Sequence, residues 1–268
     1  MTFRHAIALS LATLTAGPIA SAQALAAKPA GHAYPSGPNV PENLLRIELR
    51  FSRPLREPLP MDRVKLIGED GQALQDVFLD LPLPNPDATR VTLLLNPARV
   101  KSGVGANLAI GRALHFGSTV TLVVDDPALA RPLRKTWRVT GPDTEGPNPA
   151  LWTFDRPTRG TRLPMVVHLD GPIASSSEAL IAVRGPDNRR VAGVARLENG
   201  ESTWQFTPAH VWRTGTYAVV THPELEDPAG NRPCAPFEAT RVSSVQCNEG
   251  TTQTFETKPP TWSRTRTR

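Results

Sequence analysis

The chain has 268 residues, of which 28 are Pro, and it carries 30 Lys and Arg against 25 Asp and Glu. Because Pro removes a helix hydrogen bond and clashes with the preceding turn, this Pro content excludes a mainly helical protein. Two Cys are too few for a disulfide-dense scaffold or a Cys-based zinc cluster, and the scattered, slight excess of positive charge argues against a nucleic-acid partner.

The N-terminal segment, residues 1–22, is typical of a secretory signal peptide. A short positively charged start precedes an apolar run that is too short to cross a bilayer. Small residues at 20–22 form a cleavage site, and those at 24–26 form a second one. We therefore predict an exported protein, periplasmic or extracellular, that has no membrane span.

Export would place Cys234 and Cys247 in an oxidising compartment, where they are able to form a disulfide. Closing the short loop between them would stabilise the fold by about 3 kcal/mol. Two free thiols, or a bond to another chain, are the alternatives.

Residues 23–40 are rich in Pro, Gly and Ala without any periodicity, which predicts a linker. A first domain is predicted over residues 41–140, because short β-like runs there are separated by turn residues. The predicted strands are residues 45–51, 64–67, 73–79, 90–95, 119–124 and 133–139.

Residues 141–150 are rich in Gly and Pro and predict a second linker, followed by a second domain over residues 151–256 and a basic flexible tail over residues 257–268. Short helical turns are predicted at 97–101 and 175–178. The predicted strands of the second domain are residues 165–169, 179–184, 191–197, 202–206, 216–221 and 237–242.

The two halves repeat the same order of elements. The sequence around Pro97 aligns with that around Pro208, and the sequence after Gly117 aligns with that after Gly215. The first half carries an insertion at residues 101–116, which is the best candidate for a contact loop with a partner; a tolerated insertion without a function is the alternative. Short strands at this spacing, present twice, predict an all-β protein of two tandem antiparallel β-sandwich domains.

The order of several motifs resembles bacterial Ig-like domains of the S-layer type. These motifs are Phe51-Ser52-Arg53-Pro54-Leu55, Asp70-Gly71-Gln72-Ala73-Leu74, Thr92-Leu93-Leu94-Leu95-Asn96-Pro97, residues 117–124 and Leu225-Glu226-Asp227-Pro228-Ala229-Gly230-Asn231. The opening Val40-Pro41-Glu42-Asn43-Leu44-Leu45 is similar to exported bacterial proteins built of two such domains. The resemblance implies Ig-like folds and an exported location, and it implies no catalytic residues.

Several residues of the second half have structural roles that follow from their chemistry. Asp227 is expected to cap a turn that Gly230 and Asn231 complete. The Tyr217 hydroxyl is expected to tie a crossing loop to the backbone, as in other sandwich folds. Trp204, Phe206 and Trp212 are expected in or beside the core.

The histidines offer a possible metal site, although no H-E-x-x-H motif is present. Strand alternation places His168 and Asp170 on one face, and His210 and His222 would approach each other if their strands paired. A copper-binding or small-ligand-binding periplasmic protein that uses His168, His210 or His222 is therefore an alternative function.

No motif of a nucleophilic or phosphate-binding enzyme is visible, although a spatial catalytic triad leaves no fixed sequence pattern. A hydrolase with an unrecognised site is a second alternative. The leading prediction is a non-enzymatic exported protein without a cofactor. Its two modules would serve a structural, adhesive or partner-binding role at a bacterial envelope, with a protein partner there.

Overall fold

The computed structural model describes residues 28–101, 108, 111–233, 235–237 and 250–259. Strands dominate it, so the predicted all-β class is confirmed. The strands are β1 Gly31–Tyr34, β2 Asn39–Pro41, β3 Arg46–Phe51, β4 Val64–Ile67, β5 Leu83–Pro84, β6 Arg90–Leu94, β7 Thr119–Val124, β8 Leu133–Thr140, β9 Thr153–Asp155, β10 Met165–His168, β11 Ile181–Arg184, β12 Gly193–Glu198, β13 Thr203–Pro208, β14 Thr216–Thr221 and β15 Thr252–Glu256.

The first eight strands form one sandwich, here called the first sandwich. One sheet has the order β1-β3-β6-β5, and the facing sheet has the order β2-β8-β7-β4. All neighbours are antiparallel except β2 and β8, which run parallel. Apolar side chains of both sheets fill the space between them, including those of Leu49, Leu93, Leu122 and Trp137.

The remaining strands form the second sandwich. Its sheets have the orders β9-β10-β13-β12 and β11-β14-β15, with antiparallel pairing throughout. If β9 to β15 are renumbered 1 to 7, strands 1-2-5-4 form one sheet and strands 3-6-7 form the facing sheet. This is the strand order of a constant-type immunoglobulin domain, which establishes the Ig-like topology from the pairing itself.

The internal repeat seen in the sequence has a counterpart in the sheets. Strands β3, β4, β6 and β7 occupy the same positions in the first sandwich as β10, β11, β13 and β14 occupy in the second. The aligned residues lie at the ends of the equivalent strands: Pro97 comes shortly after β6, and Pro208 is the last residue of β13. The two short helical turns also form, as Pro97–Val100 and Ser175–Leu180.

The segment predicted to be a linker contains two strands. Strand β1 pairs with β3, and β2 pairs with β8, so the chain crosses from one sheet to the other within this segment. Both strands are too short to show an alternating pattern, and their partners lie far along the sequence. Composition alone therefore carries no signal for them.

The predicted strand at residues 73–79 does not form as a continuous strand. Single bridges join Ala73 to Ile67 in one sheet and Phe78 to Leu95 in the other, and Asp76 between them has a φ of +52°. The segment crosses between the two sheets and has no single strand partner along its length. The strand predicted at residues 237–242 lies outside the described residues apart from Phe237, and the sequence did not predict β9 or β15.

The second core is built around aromatic residues. Trp204 stacks on Phe206 with a ring separation of 5.5 Å, and Trp212 meets Phe206 edge-on. All of these rings are buried, which confirms the prediction. The Tyr217 hydroxyl accepts a hydrogen bond from the Arg213 N–H at 2.9 Å, so the predicted tie to the crossing loop is also confirmed.

Candidate functional site

A buried polar seam joins the two sandwiches. On β3, Ile47, Leu49 and Phe51 point into the first core, so the alternate residues lie on the opposite face. The second sandwich covers that face. The seam consists of Ser36, Asn43, Leu45, Arg46, Glu48, Arg50, Asp143, Ser175, Ser176, Glu178, Glu201, Glu226, Asp227, Pro228, Gly230 and Asn231.

Glu48 lies at the centre of the seam and is only 2% exposed. Its carboxylate accepts a hydrogen bond from the Ser175 hydroxyl and another, at 3.0 Å, from the Ser176 N–H. Both serines belong to the helical turn Ser175–Leu180 of the second sandwich. A carboxylate of the first sandwich thus binds the start of a turn in the second.

Arg50 lies two residues after Glu48 on β3 and contacts the same helical turn of the second sandwich. Its guanidinium donates to the Ser175 carbonyl at 2.7 Å and lies 3.5 Å from the Glu178 carboxylate. The guanidinium carbon also lies 4.9 Å from the centre of the Tyr34 ring, within the range of a cation–π contact. Arg50 therefore joins the helical turn Ser175–Leu180 of the second sandwich to β1 of the first.

Arg46, at the other end of β3, forms an ion pair with Glu226 of the second sandwich. Glu226 also accepts a hydrogen bond from Arg232 at 2.8 Å, and Arg232 pairs with Glu224. Charges joined in a network of this kind contribute more to the stability of the fold than a single surface ion pair does.

Glu201 closes the seam beside β1. It is 1% exposed, and its carboxylate accepts hydrogen bonds from both the N–H and the hydroxyl of Ser36. Burial raises the pKa of Glu201, while the bonds from Ser36 and the charge of Lys135 act in the opposite direction.

The connector between the sandwiches is held by two buried Asn side chains. Asn43 and Asp143 exchange two hydrogen bonds, of 2.7 Å and 2.8 Å, through the Asn43 amide and the Asp143 backbone. The Asn231 amide donates to the same Asp143 carbonyl at 3.0 Å. Each sandwich therefore fixes the same peptide of the connector.

The predicted turn cap at Asp227 forms as expected. Its carboxylate accepts hydrogen bonds from the backbone and side-chain nitrogens of Asn231, at 2.9 Å and 2.8 Å. Gly230 has a φ of +82°. The turn also packs against the first sandwich, because the Leu45 N–H donates to the Pro228 carbonyl at 3.0 Å.

Burial shifts the titration of two acids at this end of the seam. Burial raises the pKa of Asp227 to about 7, against the bonds from Asn231, and the nearby Asp143 adds to the rise. The pKa of Asp143 is also raised, with burial as the largest cause. Both carboxyl groups therefore bind a proton more tightly in the folded chain than in the unfolded chain.

The histidines predicted as metal candidates do not converge. His168 lies 3.0 Å from Asp155, while Asp170 accepts bonds from Asn148 and Trp152. His210 precedes β14 and His222 follows it, and a six-residue strand separates its ends by roughly 20 Å. Among the described residues, no group of three or more His, Cys, Asp or Glu is placed to hold a metal ion.

Two other predicted features fall largely outside the described residues. Cys234 and Cys247 both lie there, so the disulfide stays a prediction. So do residues 102–107 and 109–110 of the predicted contact loop. Within the described ranges, no helix is both long and apolar enough to cross a bilayer.

Sequence reasoning did not predict the seam. The alternating charges of Arg46, Glu48 and Arg50 look the same whether their strand face meets water or another domain. A usable signal was the pair of motifs at residues 40–45 and 225–231, which carry the buried Asn43 and Asn231.

No family model and no curated protein matches the chain, so the S-layer-type resemblance stays a prediction. A chimeric titin Z1Z2 carrying a decorin peptide is 14% identical, with 88% of this chain and 100% of that chain covered and a TM-score of 0.26. Titin Z1Z2 in complex with telethonin is 13% identical over 87% and 91% of the two chains, with a TM-score of 0.24. Murine CEACAM1b is 9% identical over 87% and 100%, with a TM-score of 0.22. TM-scores this low do not support a conclusion about the fold, and the Ig-like topology follows from the strand order of the second sandwich.

Proposed function

We propose that this chain is a non-enzymatic, exported protein whose two Ig-like sandwiches are fixed in one orientation to serve a structural or partner-binding role at a bacterial envelope. The observation that carries the proposal is the seam around Glu48. A flexible pair of domains has no need to bury a carboxylate between them, because burial of a charge is costly unless it is fully hydrogen-bonded.

A fixed orientation suits a spacer or a binding module. It presents loops and sheet edges of both sandwiches at constant distances, so a partner that contacts both does not lose affinity to domain motion. Rigid sandwiches with recognition on their loops or edges are a common arrangement for such binding. The protein partner belongs, in this proposal, to the envelope or the extracellular space.

Export is tested by expressing the full chain in a bacterial host and fractionating the cells. We expect the chain in the periplasm or the medium, with a mature N-terminus at residue 23 or residue 27. Titration of the denatured protein should then find no free thiol. A chain that keeps its first 22 residues and stays in the cytoplasm would contradict the proposed location.

The binding role is tested by crosslinking in intact cells, with the wild type compared with Glu48→Ala, which loosens the seam, and with Glu57→Ala, an exposed control. We expect the wild type and the control to crosslink to the same protein and Glu48→Ala to do so less. Equal crosslinking by all three would show that a fixed orientation has no part in binding.

A further inference from the structure

A basic groove lies along one side of the first sandwich, between β1 and the first half of β8. Its volume is about 490 Å³. It is lined by Gly31, His32, Ala33, Tyr34, Ser36 and residues 131–135.

The charge of the groove is of one sign. Arg131, Arg134 and Lys135 are its charged residues, and no acidic residue is among the described lining residues. Lys135 donates a hydrogen bond to the Ser36 carbonyl at 2.6 Å, and its positive charge favours the ionised form of the buried Glu201. Arg131 and Arg134 are exposed, and neither is in an ion pair within the described part of the chain.

The same side of the sandwich has open strand edges. Of the strands in the described residues, β1 is the outer strand of its sheet, and β3 is the strand that it pairs with. Strand β8 pairs with β7 along Leu133–Arg138, whereas β2 covers only residues 138–140 of its other edge. Among the strands that the structure describes, none therefore pairs with the opposite edge of β8 beside the groove.

Strand alternation identifies the backbone groups at that edge. The Arg138 N–H points toward β2, because it donates to the Pro38 carbonyl, while the Val139 N–H points toward β7 and donates to Ser118. Since alternate residues of a strand face the same side, the N–H and C=O of Arg134 face the open edge. Neither group has a backbone hydrogen-bond partner on that edge within the described part of the chain, so both can bind a strand that extends the line of β2.

We propose that this groove binds an acidic, extended segment of a partner protein, which pairs with β8 at Arg134 and places its carboxylates beside Arg131 and Arg134. Edge-strand addition supplies backbone hydrogen bonds, and the basic side chains supply the selectivity for acidic residues. The inference rests on the proposed partner-binding role and names the chemistry of the partner.

The probe is a fluorescent peptide in which Glu alternates with Val, measured by anisotropy with the full chain. We expect Arg134→Glu to weaken binding by about tenfold or more, because it reverses a charge at the centre of the groove. The matched control is Arg196→Glu, an exposed arginine on β12 of the other sandwich, which should bind as the wild type does. Equal weakening by both variants would overturn the inference.

Two further measurements separate strand pairing from attraction to any anion. A peptide of the same charge with Pro in place of Val lacks every second N–H and cannot adopt the φ angles of a regular strand, and we expect it to bind more weakly. Hydrogen exchange on the wild type should show new protection at the Arg134 amide when the Glu-Val peptide binds. Equal binding of the Pro peptide or of an anionic glycan, or an unprotected Arg134 amide, would overturn strand addition. Loss of peptide binding with an unchanged domain orientation would leave the proposed rigid module intact.

Discussion

Asn43 and Asp143 exchange two hydrogen bonds, although one follows β2 of the first sandwich and the other belongs to the connector after it. Asn231 of the second sandwich donates to the same Asp143 carbonyl at 3.0 Å. The connector is thus held from both sides, and Glu48, Arg50 and Glu201 add further contacts across the seam. The relative orientation of the two sandwiches is therefore fixed by paired polar groups on β3 and on the segments beside it.

The contact between Glu48 and Ser175 should be measurable as a coupling free energy. Glu48→Ala removes the acceptor for two donors of the second sandwich, so we expect a loss of about 2 kcal/mol in the free energy of unfolding. A double-mutant cycle with Ser175→Ala, by urea unfolding, should give a coupling of about 1 kcal/mol or more. The exposed Glu57→Ala is the control, and additive losses for Glu48 and Ser175 would contradict the contact.

Asp227 predicts a specific dependence of stability on pH. Burial raises the pKa of Asp227 to about 7 in the folded chain, well above the ordinary value of an aspartate. The folded state therefore holds the proton more tightly, so this group stabilises the fold fully below pH ~4 and loses that contribution as the pH rises toward 7. The slope reaches at most about 1.4 kcal/mol per pH unit.

The Asp227→Asn variant removes this titration. We expect the free energy of unfolding to fall less between pH 5 and pH 7 in the variant than in the wild type, as measured by urea unfolding at each pH. Asp125→Asn, at an exposed position, is the matched control and should keep the wild-type slope. Parallel curves for Asp227→Asn and the wild type would show that Asp227 does not titrate there.

Gly230 is required for two reasons that a matched pair of variants can separate. Its φ of +82° is unfavourable for other residues, and an added Cβ would lie 2.4 Å from the Leu45 side chain. Gly71 has a similar φ of +75°, with nothing within 4 Å of an added Cβ. We expect Gly71→Ala to cost about 1 kcal/mol and Gly230→Ala clearly more in thermal or urea unfolding. Equal costs would contradict the close packing of Gly230 on Leu45.

The hydroxyl of Tyr217 is expected to contribute about 1 kcal/mol to stability, because it holds the Arg213 N–H in the crossing loop. Tyr217→Phe should lower the melting temperature accordingly. Tyr34→Phe is the control, since the Tyr34 hydroxyl has no hydrogen bond within the described residues and its ring keeps the contact with Arg50. If the two variants have the same melting temperature, the hydrogen bond of the Tyr217 hydroxyl does not contribute to stability.

The strands that sequence reasoning predicted best are those with a clear local pattern. Thr119–Val124 alternates buried and half-buried residues along its whole length, and its bounds are as predicted. By contrast, Gly31–Tyr34 and Thr252–Glu256 are strands because distant segments pair with them. The composition and the periodicity of a segment do not depend on a strand partner elsewhere in the chain, so neither could predict these two strands.

The seam was hidden for a related reason. The polar positions of β3 were consistent with a half-buried strand, and only the tertiary structure shows that Ser175 and Glu178 cover them. The turn at Asp227 was predictable from its residue types, whereas its burial and raised pKa depend on packing against Leu45 and the Asp143 connector.

The fixed orientation of the two sandwiches is tested most directly by residual dipolar couplings of backbone amides in the full chain. Couplings from residues 31–100 and from residues 152–232 should fit one alignment tensor, with the relative orientation given by the seam. Two tensors of different magnitude or direction would show that the sandwiches move independently, and the account of a rigid module would then be wrong.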